Sequence, residues 1–127
     1  MTEVALSRTE QGFTCRAEGH AGFAPAGSDI VCAAVTVLLR TAAEMLEATP
    51  GVAVRPLAVQ AGALSFQVER RERGESGRAR DDGPDALGAR LWAVGDFIKT
   101  GMESLQREFP GHISFREEPG RSGVSGA

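Results

Sequence analysis

His20 and Cys32 stand at the two ends of the stretch HAGFAPAGSDIVC, and together they could perform acyl transfer. A cysteine attacks as its thiolate. An imidazole beside it can take the thiol proton and later return it to a leaving amine. Backbone N–H groups at a helix start both favour the thiolate and can hold the charge that develops on an attacked carbonyl oxygen. Asp29 and Thr36 flank Cys32 at spacings of three and four residues, so on a helix all three share one face. Each residue also has a plainer explanation. A cysteine near a helix start is most often a small buried hydrophobe. Asp29 is a good helix N-cap, and its charge beside a thiol opposes thiolate formation. Thr36 can bond back to the carbonyl four residues earlier. Cys15 alternates with Phe13 and Ala17 and reads as core packing, while His112 reads as a surface residue at a strand entry.

The elements that must carry these groups are legible from periodicity. EVALSR and GFTCRAE alternate apolar and polar residues on either side of the polar TEQG, which predicts a β-hairpin. Residues 19–28 (GHAGFAPAGS) hold three glycines, three alanines and a proline with no period, and read as a mobile loop. A helix is predicted over residues 29–48, capped by Ser28 or Asp29 and stopped by Pro50-Gly51. Its apolar stripe runs Val31, Val35, Leu38, Ala42, Met45. Cys32 then falls in its first turn, at the edge of the stripe. VAVRPLAVQ and ALSFQVERR follow as strands, and Pro56 marks the first as bulged or at a sheet edge. Residues 69–82 are rich in arginine and glutamate and read as a solvated connection. A second helix begins at Pro84, carries Leu87, Leu91, Val94, Ile98, Met102, Leu105 and Phe109, and ends at Pro110-Gly111. HISFRE predicts a last strand. The order β-β-α-β-β-α-β implies an α+β layered sandwich, with a mixed or mostly antiparallel sheet of four to five strands. Residues 1–118 read as one domain and residues 119–127 as a disordered tail.

Composition removes several classes. A net charge of −3 on 127 residues offers no basic field for nucleic acid. No apolar run approaches a membrane span, and the first residues lack the basic and apolar regions of a signal peptide, so the expected compartment is the cytoplasm. Two cysteines and two histidines without CxxC or HxxxH spacing argue against a disulfide framework or a metal site.

As one string, GHAGFAPAGSDIVCAAV resembles the signature of the Prp family, the ribosomal-processing cysteine proteases, in which G-H-A-G is followed by a loop and then G-x-D-I-V-C-A-A. The match covers Gly19, His20, Ala21, Gly22, Gly27, Asp29, Ile30, Val31, Cys32, Ala33 and Ala34. A weaker similarity runs from about residue 3 to 117. The resemblance implies a cytoplasmic homodimer with an α+β sandwich. It also implies a cysteine endopeptidase that removes a short, hydrophobic N-terminal extension from one bacterial large-subunit ribosomal protein, the twenty-seventh of its series. By position, Cys32 would be the nucleophile and His20 the base and then the acid. Asp29 and Thr36 would support them, and Gly19, Gly22 and Gly27 would be loop hinges. No metal or organic cofactor is implied. Phe23 stands where the family often has tyrosine, and Thr36 where it commonly has serine.

Two other functions stay open on the residues alone. One is a dimeric peptide-binding or ribosome-assembly module with an inert cysteine. Gly88, Gly95 and Gly101 weaken the second helix by roughly 1 kcal/mol each against alanine, which a dimer contact along that helix would explain. The other is thiol redox sensing through Cys15 and Cys32.

Overall fold

The computed structural model describes residues 1–19, 26–60, 63–71 and 85–119, without the side chains of 26–29 and 58–60. The seven elements are β1 (Thr2–Arg8), β2 (Gly12–Glu18), α1 (Ala26–Glu47), β3 (Val52–Gln60), β4 (Ala63–Arg70), α2 (Ala86–Glu108) and β5 (Ile113–Glu118). They form one five-stranded sheet in the order β3-β4-β2-β1-β5. Every pairing is antiparallel except β1 with β5, which is parallel. The element order and the α+β class are those the periodicity predicts.

Alternation explains how the sheet faces its helices. The register sets Val4 beside Ala17 and Leu6 beside Cys15, and continues them with Leu64 and Phe66 of β4. Most of these side chains are buried, and all lie in one cluster with α1 and α2, while Glu3, Arg16 and Glu18 on the alternate positions are exposed. Phe13 and Phe66 meet edge to face at 6.2 Å between ring centroids. Burying a side chain such as Leu6, Leu39 or Ile98 contributes about 2 kcal/mol each. The hairpin turn closes because Gly12 passes tightly under β4, where a β-carbon would strike the Val68 carbonyl. β3 is an edge strand and its register shifts between Pro56 and Ala58, so both expectations for Pro56 hold.

The structure revises several local expectations. α1 starts at Ala26, so Gly27, Ser28 and Asp29 lie inside its first turn instead of in the loop or at the cap. Its buried stripe is Val31, Val35, Leu39, Ala42 and Leu46, whereas Leu38 is only partly buried and Met45 is exposed. Leu38-Leu39 and Met45-Leu46 are adjacent apolar pairs that satisfy helical spacing equally, and the sheet selects the second of each. α2 starts at Ala86, after Pro84, with Asp85 as its N-cap: the carboxylate accepts from the Gly88 N–H at 2.9 Å. The α2 glycines are explained within the chain. A β-carbon at Gly88 would strike Asp85 and Arg70, one at Gly95 would lie 2.9 Å from Arg8 Cδ, and one at Gly101 would lie 3.2 Å from Leu38 Cδ1. These glycines therefore give no sign of a dimer contact along α2. Pro119 is still tied to the sheet, its carbonyl accepting from Ser7 Oγ at 3.3 Å. The predicted connection beyond residue 71 and the tail from residue 120 lie outside the described residues.

One cation enters the core. Arg8, at the far end of β1, donates to Glu117 at 2.7 Å and to Asp96 at 2.8 Å, and its guanidinium lies 4.1 Å from the Trp92 ring centroid. The hydrogen bond from Arg8 holds the Glu117 carboxyl below the usual range, and the same bond raises Arg8 further.

Candidate active site

Cys32 is the seventh residue of α1, one turn further into the helix than the sequence alone implies. The helix dipole acts mainly on its first turn, so that contribution to a thiolate is smaller than expected. The side chain is half-buried, beside the fully buried Val31. Its sulfur faces two residues of the sheet end. Thr2 Oγ1 lies 3.0 Å from Cys32 Sγ, and a β-carbon built on Gly19 would lie 3.3 Å from Sγ and 3.1 Å from Thr2 Oγ1. Gly19 does not need a positive φ here. A side chain in its place would press on both Cys32 Sγ and Thr2 Oγ1, so glycine here leaves the pair room.

Thr2 is buried to 4 % exposure. It is the first residue of β1, and its N–H donates to the His112 carbonyl at 3.0 Å, which ties the strand start to the turn before β5. Sequence reasoning missed Thr2. The signal was there, since Thr2 shares the face of Val4 and Leu6, but nothing in the sequence says that Cys32 packs above that face.

The remaining predicted residues divide. Gly19 and Cys32 come together. Thr36 is exposed, one turn beyond Cys32. Asp29 and Gly27 lie in the first turn of α1 with side-chain positions outside the described residues, as His20 and Gly22 are altogether. Gly19 is thus the last described residue before His20, and it already touches the thiol's surroundings. Cys15, on β2 between β1 and β4, is fully buried, and burial pushes its thiol up to about 12. It is core packing, as expected, and too hard to ionise to react near neutral pH.

Concavities among the described residues flank the sheet. A cavity of about 880 Å³ lies at the Arg8 end, lined by Arg8, Gln11, Arg70, Asp85 and Trp92 among others, with no cysteine or histidine among the described residues of its wall. A smaller one of about 360 Å³ lies between α1 and the β3–β4 edge, with an apolar floor of Leu39, Val54, Leu64 and Phe66 and a charged rim that includes Arg40 and Glu44. Among the described residues no group of three or more His, Cys, Asp or Glu side chains is placed to share a metal ion, and no helix is long and apolar enough to cross a membrane.

Comparison with known proteins identifies the class of this arrangement. The family model described as cysteine protease Prp matches residues 1–114. No curated protein matches by sequence. Among solved structures, the ribosomal processing protease Prp from S. aureus in complex with a substrate peptide superposes with a TM-score of 0.68 at 14% identity, covering 93% of this chain and 100% of that one. The same enzyme with a covalently linked product peptide gives 0.64 at 13% identity, covering 93% and 100%. SMU.848 from Streptococcus mutans gives 0.64 at 18% identity, covering 94% and 95%.

Proposed function

The chain belongs to the cysteine protease Prp family, and on that premise we propose that it is an endopeptidase that cuts a short N-terminal extension from a large-subunit ribosomal protein, the twenty-seventh of its series. Cys32 is the nucleophile and His20 the base. The observation that carries the reading is the half-buried Cys32 sulfur at the end of the sheet, with Gly19, the neighbour of His20 in the chain, packed beside it. In this mechanism His20 takes the Cys32 proton and the thiolate attacks the scissile carbonyl. The imidazolium then protonates the departing amine, leaving a thioester between Cys32 and the N-terminal fragment. Water, deprotonated by the same imidazole, hydrolyses the thioester and restores the thiol. Asp29 and Thr36 support the pair from the same stretch of α1. The steps need no metal or cofactor.

Support for a hydrophobic substrate comes from the groove of about 360 Å³ beside Leu39 and Leu64. Leu39 follows Cys32 by seven residues, roughly 10 Å along the helix axis. The S. aureus structure with a substrate peptide supports a peptide as the substrate class. A cytoplasmic homodimer completes the proposal. Ile30, Val37 and Phe97 are exposed on the two helices and are candidates for its contact.

The test is mass spectrometry of a peptide spanning such an extension, incubated with the wild-type protein, Cys32→Ala and His20→Ala. One cut by the wild type and none by either variant is the expected result. A peptide left intact but bound equally by all three proteins overturns the protease in favour of a binding module. Sedimentation at micromolar concentration tests the dimer, and a monomer throughout removes it.

A further inference from the structure

We propose that Thr2 is a positioning residue for Cys32: its buried hydroxyl donates to the sulfur and favours the thiolate. The inference rests on Cys32 being the nucleophile of the proposed reaction. It answers a need the fold creates. Because α1 begins at Ala26, Cys32 sits in the second turn, where the helix dipole is a weaker source of thiolate stabilisation. The described group in contact with the sulfur that can hydrogen-bond it is Thr2 Oγ1, at 3.0 Å.

The geometry makes this a directed contact. The Thr2 N–H is held by the His112 carbonyl at 3.0 Å, which fixes the strand start against the turn before β5. The residue is 4 % exposed, so water is a poor substitute for the sulfur as its partner. Gly19 lies beside the pair, where a β-carbon would stand 3.1 Å from Thr2 Oγ1 and 3.3 Å from Cys32 Sγ.

The chemistry gives the contact a sign. With a neutral thiol either atom can donate, and the bond is weak because a thiol is a poor donor and a poor acceptor. With a thiolate only the hydroxyl can donate, and the bond becomes charge-assisted, which is about twice as strong. A group that hydrogen-bonds the charged form better than the neutral form shifts the equilibrium toward the charged form. The same bond fixes the sulfur's rotamer, so the thiolate forms in one place. Some intrinsic nucleophilicity is given up, since a better-stabilised thiolate attacks more slowly, but the gain in thiolate population exceeds that loss.

The test reads the thiol directly. Wild-type protein, Thr2→Val and Thr2→Ser are alkylated with iodoacetamide from pH 5 to 10, and modification at Cys32 is followed by mass spectrometry. Cys15 stays silent because it is fully buried. Thr2→Val keeps the volume and loses the hydroxyl. Its reactivity profile moves to higher pH by about one unit, the rate on the acid side falls about threefold once the greater nucleophilicity of the less stabilised thiolate is counted, and Thr2→Ser restores the wild-type profile. An unmoved profile in Thr2→Val overturns the proposal. So does an equal displacement in Thr2→Ser, which would assign the effect to the methyl group's packing. If melting curves show that Thr2→Val does not fold, Thr2→Ala against Thr2→Ser carries the same comparison. The readout needs no substrate. A peptide left uncut by a protein whose profile moves as expected defeats the protease and not the hydrogen bond, and cutting with an unmoved profile does the reverse.

Discussion

Arg8→Met isolates the price of bringing one cation into this core. The substitution keeps most of the stem and removes the guanidinium, which bonds Glu117, Asp96 and the Trp92 carbonyl and stacks on the Trp92 ring. Breaking a fully buried ion pair costs about 3–5 kcal/mol. Here the partners are partly open: the side chain of Asp96 is 57% exposed and that of Glu117 29%. Both carboxylates rehydrate, and Glu117 keeps Lys99 at 3.9 Å. The ion-pair share therefore falls to about 1.5 kcal/mol, and the ring contact adds about 0.5 kcal/mol, for a loss of about 2 kcal/mol. For a domain of this size that lowers Tm by about 6–10 °C. The pH dependence has a definite sign. Glu117 is held below its ordinary value by Arg8, so its share of stability is present above about pH 4.3 and is lost as pH falls through the lower folded value. The gap between wild type and variant is full at pH 7 and narrows below about pH 4. Arg8 is six residues along β1 from Thr2, roughly 20 Å, so alkylation of Cys32 should not change. Urea melts at pH 7 and pH 3, with Cys32 alkylation alongside, measure all three. A loss under about 0.5 kcal/mol at pH 7, or a gap that does not narrow in acid, would refute the reasoning.

Four further outcomes are expected. Native protein at pH 8 should present one thiol to Ellman's reagent and denatured protein two, because Cys15 is fully buried and its thiol is pushed up to about 12. The same shift means that stability is whole below about pH 9 and declines as pH rises toward 12, and Cys15→Ala should flatten that alkaline limb in denaturant melts. Gly101→Ala gains about 1 kcal/mol of helix propensity while Leu38 moves its flexible end slightly, so urea melts should show unchanged or raised stability; a loss above 1 kcal/mol contradicts the packing described. Asp85→Ala removes the α2 cap and should cost about 1 kcal/mol, with Asp85→Asn costing less, in the same melts.

The residue pattern by itself determined the element order, the hairpin, the edge character of β3 and the membership of most of the core, because alternation and helical spacing report directly which side chains must leave water. The string from Gly19 to Ala34 likewise singled out Cys32 and His20 as a pair worth chemistry. What it left undecided depended on contacts between distant segments. Leu38 or Leu39, and Met45 or Leu46, fit the α1 stripe equally until the sheet sets the helix's rotation. The helix starts at Ala26 and not at the Ser28-Asp29 pair, a local capping preference being worth only about 1 kcal/mol. The glycines of α2 looked like an invitation to another chain and proved to make room for Arg8, the Asp85 cap and Leu38. Thr2 was one more residue in an alternating strand until the fold laid it, thirty positions away in sequence, against the sulfur of Cys32. A hydrogen bond across that separation leaves no mark in local periodicity, and only the docking of α1 on the end of β1 creates it.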